Sequence, residues 1–533
     1  MRATALVALA VLAVLAFPLL AACGGDPPQI VDYAPQRNTV DVSTATPIKI
    51  TFDHEVDQAS VASRLHLTPA TDGTVRWLDG RHLVFEHETL LTDTGYEVIL
   101  EPGYRDLAGN TYTLRHHWAF FTEGPPALTT STPLNRDTGV DPAAYLSLDF
   151  SRAMDPSTLR GAVSINPAVP FDIRLDPADG RRAIIAPSQL LAANTAYELL
   201  VNVTATDVDG NRLARAQTVA FTTGAVQPLR HWIAFATDRT DGTPAGLWIV
   251  NESGFPRLLF NGAAVRSFNW SPDASSLLVQ ATDGTWRQVT PGADDVRLSF
   301  TAPWAAALAS GMGFVYLDGE NVLHRQRADG TDDVIASDVR EGAVAPNGLR
   351  VAFIHSRASS NEIWAYDVGL RSSYQLVDDT APVSAVAWAP AGNRIAYLRH
   401  ELTTTTLRMR SLTGTGAMTT LVSGDIDPPA WLPDSTHLVF AATVLGGTAT
   451  SKKAFVINVV SPPATLSATA GLPADLTIEV GSPVASPDGH QIAFLSGGQV
   501  WLMNADGTRP IALTNQDPES FPYSCRALAW TRS

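Results

Sequence analysis

The chain is poor in cysteine: Cys23 and Cys525 are the only two among 533 residues. That excludes the disulfide frameworks on which small secreted folds depend. Positive charge is also short, with 37 Lys and Arg against 53 Asp and Glu and a formal net charge of −16. Such a surface repels phosphate backbones, and no basic run offsets it, so no nucleic-acid partner is expected. Common catalytic signatures are missing too. There is no Gly-x-Ser-x-Gly elbow, no His-Glu-x-x-His, no P-loop and no Gly-x-Gly-x-x-Gly turn between a strand and a helix. Catalytic residues, metal ligands and cofactors are therefore all expected to be none. Wholesale disorder is excluded by a hydrophobic content of 45% with 17% charged residues. The length exceeds what one core supports and calls for several domains.

One long apolar run is present, from Ala3 to Leu20 behind Arg2. It ends in Leu20-Ala21-Ala22-Cys23 and turns at once to Gly24-Gly25-Asp26-Pro27-Pro28. A charged start, an apolar stretch and small residues before a cut point read as an export signal. The segment resembles a bacterial lipobox. The resemblance implies a signal peptide over 1–22, cleavage before Cys23, a diacylglycerol on its thiol and a linker over 23–29. The protein would then be extracytoplasmic, held by its N-terminal lipid to the cell membrane or the outer membrane. The alternative is an uncleaved transmembrane helix, since about 20 apolar residues span a bilayer. Cys525, left without an internal partner, reads as a buried strand cysteine, with a reactive thiol as the alternative.

Residues 30–125 and 126–226 share one pattern. Ile48-Lys49-Ile50-Thr51-Phe52 alternates as a half-buried strand does, and a matching run ends at Phe150. "TGYEVILEPGYRDLAGN" parallels "TAYELLVNVTATDVDGN", and the modules close on "WAFFTEG" and "VAFTTG". Short strands with regular turn signals point to β-sandwiches. The residues resemble bacterial Ig-like domains, most specifically in the Asp-x-x-Gly-Asn turns at Asp106–Asn110 and Asp207–Asn211. The resemblance implies spacer or adhesive stalk units. Clustered oxygens in "DVDGN" raise calcium, but the EF-hand order is absent, and Gly with Asn suits a tight turn at positive φ. His116 and His117 are adjacent on a strand, face opposite ways and make a poor metal pair.

From residue 227 to 533 the chain is a repeat array. "NWSPDASSLLV" at 269, "VAPNGLRVAF" at 344, "WAPAGNRIAY" at 388, "WLPDSTHLVF" at 431 and "ASPDGHQIAF" at 485 share a turn followed by an apolar strand. "LASGMGFVY" at 308 is a worn copy. "WIAF" at 232 lacks the preceding half, and the terminal "ALAWTRS" lacks the following one. Pairing the two halves closes a ring of seven blades, each near the usual repeat length, and removes the free edges of an open array. The repeating turn-and-strand motif, written out as Trp-Ser-Pro-Asp at 270–273, resembles the propellers of TolB and of prolyl-oligopeptidase-type enzymes. The fold class expected is all-β: two Ig-like β-sandwiches followed by a β-propeller closed by the C-terminal strand. Trp270, Trp388, Trp431 and Trp530 are expected to pack between blades rather than to form a sugar-stacking surface.

Propellers bind where their inner strands converge. The resemblance places Arg266, Arg340, Glu341, Asp427 and Arg526 at the starts of those strands. They are candidates for orienting a polar ligand or a peptide terminus, against the alternative of solvated charges or inter-blade ion pairs. The expected function is a lipid-anchored cell-envelope protein whose stalk carries a head that binds or scaffolds a protein, peptide or glycan without catalysis. The rivals are a propeller enzyme of lyase or glycosidase type with a site in the central funnel, and a purely mechanical spacer.

Overall fold

The computed structural model describes residues 25–239, 244–260, 265–357, 361–414, 416–443, 452–466, 471–472, 478–514 and 523–531. Cys23 and the segment before it lie outside these. Among the described residues no helix is long and apolar enough to cross a membrane. The chain divides into two compact units. One holds the residues up to Ala127 with Arg152–Thr158 and Val203–Arg215; the other holds Leu128–Ser151, Leu159–Asn202 and the remainder from Ala216.

In the first unit, Ile30–Ala34, Ile48–Phe52, His82–His87 and Gly73–Trp77 form one antiparallel sheet, and Leu65–Thr68, Gly95–Leu100 and His116–Phe121 form another. Alternation does the work: Ile48, Ile50 and Phe52 point inward with Val98, Leu100, Trp118 and Phe120 into a shared core. Helix Gln58–Ala62 is capped by Asp57, whose side chain accepts from the Ser60 N–H. His116 packs against Tyr112, while exposed His117 sits 2.6 Å from Glu97 on the other face.

Both Asp-x-x-Gly-Asn turns close on themselves. The Asn110 N–H donates to Asp106 Oδ1 at 2.8 Å, and Asn211 repeats this with Asp207 at 2.8 Å. Gly109 at φ +90° and Gly210 at φ +88° occupy a region closed to most side chains. The turn oxygens thus hold backbone, as expected from the sequence. Asn211 also donates to buried Glu123 at 3.1 Å and accepts from the Thr44 hydroxyl at 2.8 Å. Arg152 reaches Glu123, Asp41 and the Gly124 carbonyl.

In the second unit, Phe171–Asp176, Asp179–Pro187, Leu146–Phe150 and Leu128–Thr132 form one sheet. Val163–Asn166, Ala196–Val201, Gln217–Thr223 and Asp137–Val140 form its companion. Six further sheets complete the unit, one of them seven strands wide and spanning two blades. The first runs Arg257–Phe260, Pro244–Val250, Ile233–Arg239, Tyr523–Trp530, so the C-terminal strand is its innermost member. Ile233 pairs with Trp530, Ala234 with Ala529 and Phe235 with Leu528, the closure read from the two half-motifs. Inner strands Val265–Trp270, Trp304–Ala307, Val339–Val344, Val383–Trp388, Ala430–Trp431 and Gly481–Ala485 follow in order. Each lies beside the next, and the last returns to Tyr523–Trp530. The ring is a closed seven-bladed propeller.

The sandwich of this unit shares a core with the first blade. Ala143 packs in one cluster with Leu229, Trp232, Ala234 and Leu247. Fully buried Arg257 lies 4.3 Å over the Tyr145 ring and 5.5 Å from the Trp232 ring, and donates to the Ala144 carbonyl at 3.0 Å. A guanidinium tolerates such burial because it is weakly hydrated and stacks on aromatic faces.

The Ser-Pro-Asp motif has a local explanation. Ser271 Oγ donates to Asp273 at 2.7 Å and accepts from the Ser276 N–H at 3.0 Å. Ser486 does the same with Asp488 at 2.5 Å and the Gln491 N–H at 3.0 Å. In the Leu-Pro-Asp variant, partial burial pushes the Asp434 carboxyl up. Donation from the backbone N–H of Thr436 and from the His437 side chain outweighs this and brings it down to about 2. Asp273 and Asp488 are likewise held below the usual carboxylate range, burial opposing hydroxyl and N–H donors in both. A depressed folded-state pKa contributes stability that is present above the unfolded value, near 4, and lost as pH falls through the folded one. The propeller's thermal transition should therefore drop between about pH 4 and pH 2. Asp434→Asn should flatten that dependence in a melting series across pH.

Candidate functional site at the propeller channel

The inner strands leave one edge each unpaired around the channel. Near their starts they are bulged, with register shifts at Val265/Ser267, Val339/Glu341, Ser384/Ala387 and Gly481/Val484. Ala385, Ser482 and Ala527 take positive φ at +54°, +47° and +51°. A bulge re-aims side chains and ends regular pairing, which suits the rim of a ring. In the sixth blade the break is made by Asp427-Pro428-Pro429, where two prolines cannot donate to a ladder.

The five sequence candidates lie in or just before the first halves of inner strands, in different roles. Arg526 Nε donates to Asp238 at 2.8 Å, and its other nitrogens reach the carbonyls of Val265 and Arg266 in the next blade. Glu341 accepts from the backbone N–H groups of Ala385 and Val386, both at 3.0 Å, and so ties the fourth blade to the fifth. Asp427 accepts from Lys452 at 2.5 Å. Arg340 is exposed and donates to Asn361 at 2.8 Å, and exposed Arg266 has no side-chain partner among the described residues. Arg526, Glu341 and Asp427 are thus spent on the ring, whereas Arg266 and Arg340 are exposed.

At the far ends of the inner strands the channel holds a cavity of about 500 Å³ lined by Trp270, Trp304, Trp388, Trp431 and Trp530 with several prolines. The four motif tryptophans are buried and stitch neighbouring blades. Their indole N–H groups donate to the carbonyls of Ala529, Ala343, Ala387 and Val484 at 3.0–3.1 Å. The packing role expected from the sequence stands, with a hydrogen bond added that the motif alone does not reveal.

Sequence reasoning missed one pair at the mouth. Ser384 Oγ lies 2.7 Å from His400 Nε2, brought together across a hairpin from 16 residues apart. Cys525 is buried, and burial pushes its thiol up to about 12, the inert strand cysteine expected.

Residues 25–122 and 123–223 each match the bacterial Ig-like domain family. The chain is similar to TolB from Acinetobacter baumannii at 13% identity and a TM-score of 0.38, over 71% of this chain and 85% of that one. It is similar to a putative TolB from Agrobacterium tumefaciens at 12% identity and a TM-score of 0.32, over 53% and 88%. An oligogalacturonate lyase in complex with manganese matches at 12% identity and a TM-score of 0.38, over 61% and 92%. Likeness at this level carries nothing about ligands, and the propeller assignment rests on the seven blades and their closure.

If Glu341 serves the ring, Glu341→Ala should lower the propeller's melting temperature by about 2–6 °C, since two backbone N–H groups lose a charged acceptor. Glu341→Gln, which keeps one oxygen, should cost less; calorimetry of the full chain reads both. The chain is thus a tandem pair of bacterial Ig-like domains followed by a closed seven-bladed β-propeller.

Proposed function

We propose that this is an extracytoplasmic binding protein, tethered by lipid at Cys23, whose Ig-like pair acts as a stalk and whose propeller mouth recognises a protein, peptide or glycan without turning it over. The observation that carries the reading is the division of labour at the mouth. Four acids there are committed: Asp238 to Arg526, Glu341 to backbone, Asp427 to Lys452 and Asp379 to Arg399 and Arg408. Exposed Arg266 and Arg340 remain for recognition. Planar guanidinium forks suit carboxylates and other oxygen-rich groups. A glycosidase would instead need two carboxyl groups facing one bond at about 5–9.5 Å, with their oxygens available. Anchoring through a lipid-bearing cysteine fits the two-chain requirement for stable membrane attachment.

The test is a pull-down from detergent-solubilised envelope with the full chain and with the double variant Arg266→Ala/Arg340→Ala. A partner retained by the wild type and lost by the variant is expected. Recovery of the wild type alone, or equal capture by both, contradicts the reading.

A further inference from the structure

Ser384 and His400 form more than a cross-strand contact. Ser384 stands at the bulge of Val383–Trp388, and His400 ends the neighbouring strand Arg394–His400. The serine Oγ is 2.7 Å from His400 Nε2, and His400 Nδ1 is 3.2 Å from Thr405 Oγ1. One tautomer satisfies both: Nδ1–H donates to the Thr405 hydroxyl, and Nε2 accepts the Ser384 hydroxyl proton. This is a nucleophile on a base, with the base oriented by a third group.

The surroundings hold the pair in place. The His400 N–H donates to the Pro382 carbonyl at 2.8 Å, which pins the strand end beside the serine. Directly after Ser384 the backbone is fixed by Glu341, which takes the N–H groups of Ala385 and Val386. Ser384 and His400 are both half-buried, open enough for a small electrophile to reach.

We propose that Ser384 is a base-assisted nucleophile that accepts the acyl group of an ester. Ser384 Oγ bonds to the carbonyl carbon while its proton passes to His400 Nε2. The ester C–O bond then breaks, and the departing alcohol takes that proton. Water, deprotonated by the same nitrogen, releases the acid and restores the serine. Thr405 is a positioning residue. This activity goes beyond the binding reading and does not depend on it, because Arg266 and Arg340 have no part in it.

The test treats the folded full-length chain with an alkyl fluorophosphonate, which loses fluoride as its phosphorus bonds to a nucleophilic oxygen, and maps the adduct by peptide mass. The adduct is expected on Ser384 and absent from Ser384→Ala. Its rate of formation should fall at least about 100-fold in His400→Ala, the lower end of what a general base contributes. Thr405→Val should slow it several-fold, and Thr405→Ser should restore it, which a merely structural hydroxyl would not do. His400→Gln serves as the second variant should His400→Ala fail to fold. A folded wild type without an adduct on Ser384, or a rate unchanged by loss of the imidazole, overturns the proposal.

Discussion

A ring of sheets must end somewhere, and both ends leave an unpaired strand edge exposed. Here the seam is filled by Tyr523–Trp530 lying against Ile233–Arg239, so that residues from the two ends of the repeat array share one sheet. Every other property of the propeller leans on that pairing. Trp530 donates to Val484 in the seventh blade and Trp270 donates back to Ala529, so the closing strand is stitched on both sides. Arg526 adds a third tie, to Asp238 within the blade and to the carbonyls of Val265 and Arg266 across the seam. Remove the strand and three inter-blade interactions are orphaned together, in an interior where unsatisfied polar groups are costly.

The same economy runs through the rest of the molecule. Polar side chains that look available in the sequence are used to hold backbone. Asp273 and Asp488 close their turns, and Glu341 secures the bulge at Ala385. In the first unit, Glu123 gathers Thr44, Asn211 and Arg152. In the second, Arg257 fills a slot between Tyr145 and Trp232, where its charge is met by ring faces and a carbonyl instead of a carboxylate.

Much of this was legible before any coordinates. The half-motifs at 232 and 527 announced the closure because a blade missing its front and a blade missing its back have one economical solution. The Asp-x-x-Gly-Asn turns were readable because only a few residues tolerate positive φ. The apolar strands expected after the turns at 344, 388, 431 and 485 begin at Arg350, Arg394, His437 and Gln491, inside the quoted motifs. What stayed hidden was partnership across blades. Nothing local says that Glu341 meets the N–H of Ala385, or that Ser384 meets His400, because a bulge shifts register by an amount the sequence does not encode. The fate of Arg257 was hidden for the same reason: its neighbours Tyr145 and Trp232 are far away along the chain.

The account stands on the seam, and native-state amide hydrogen exchange addresses it directly. If Tyr523–Trp530 closes the ring, the amides of Ile233–Arg239 and Tyr523–Trp530 that pair across it will exchange only through the opening that exposes the whole propeller, with protection equal to that of the inner strands of the fourth and fifth blades. Rapid exchange confined to those two strands, while the other blades stay protected, would show a ring that is not closed there and would contradict the account.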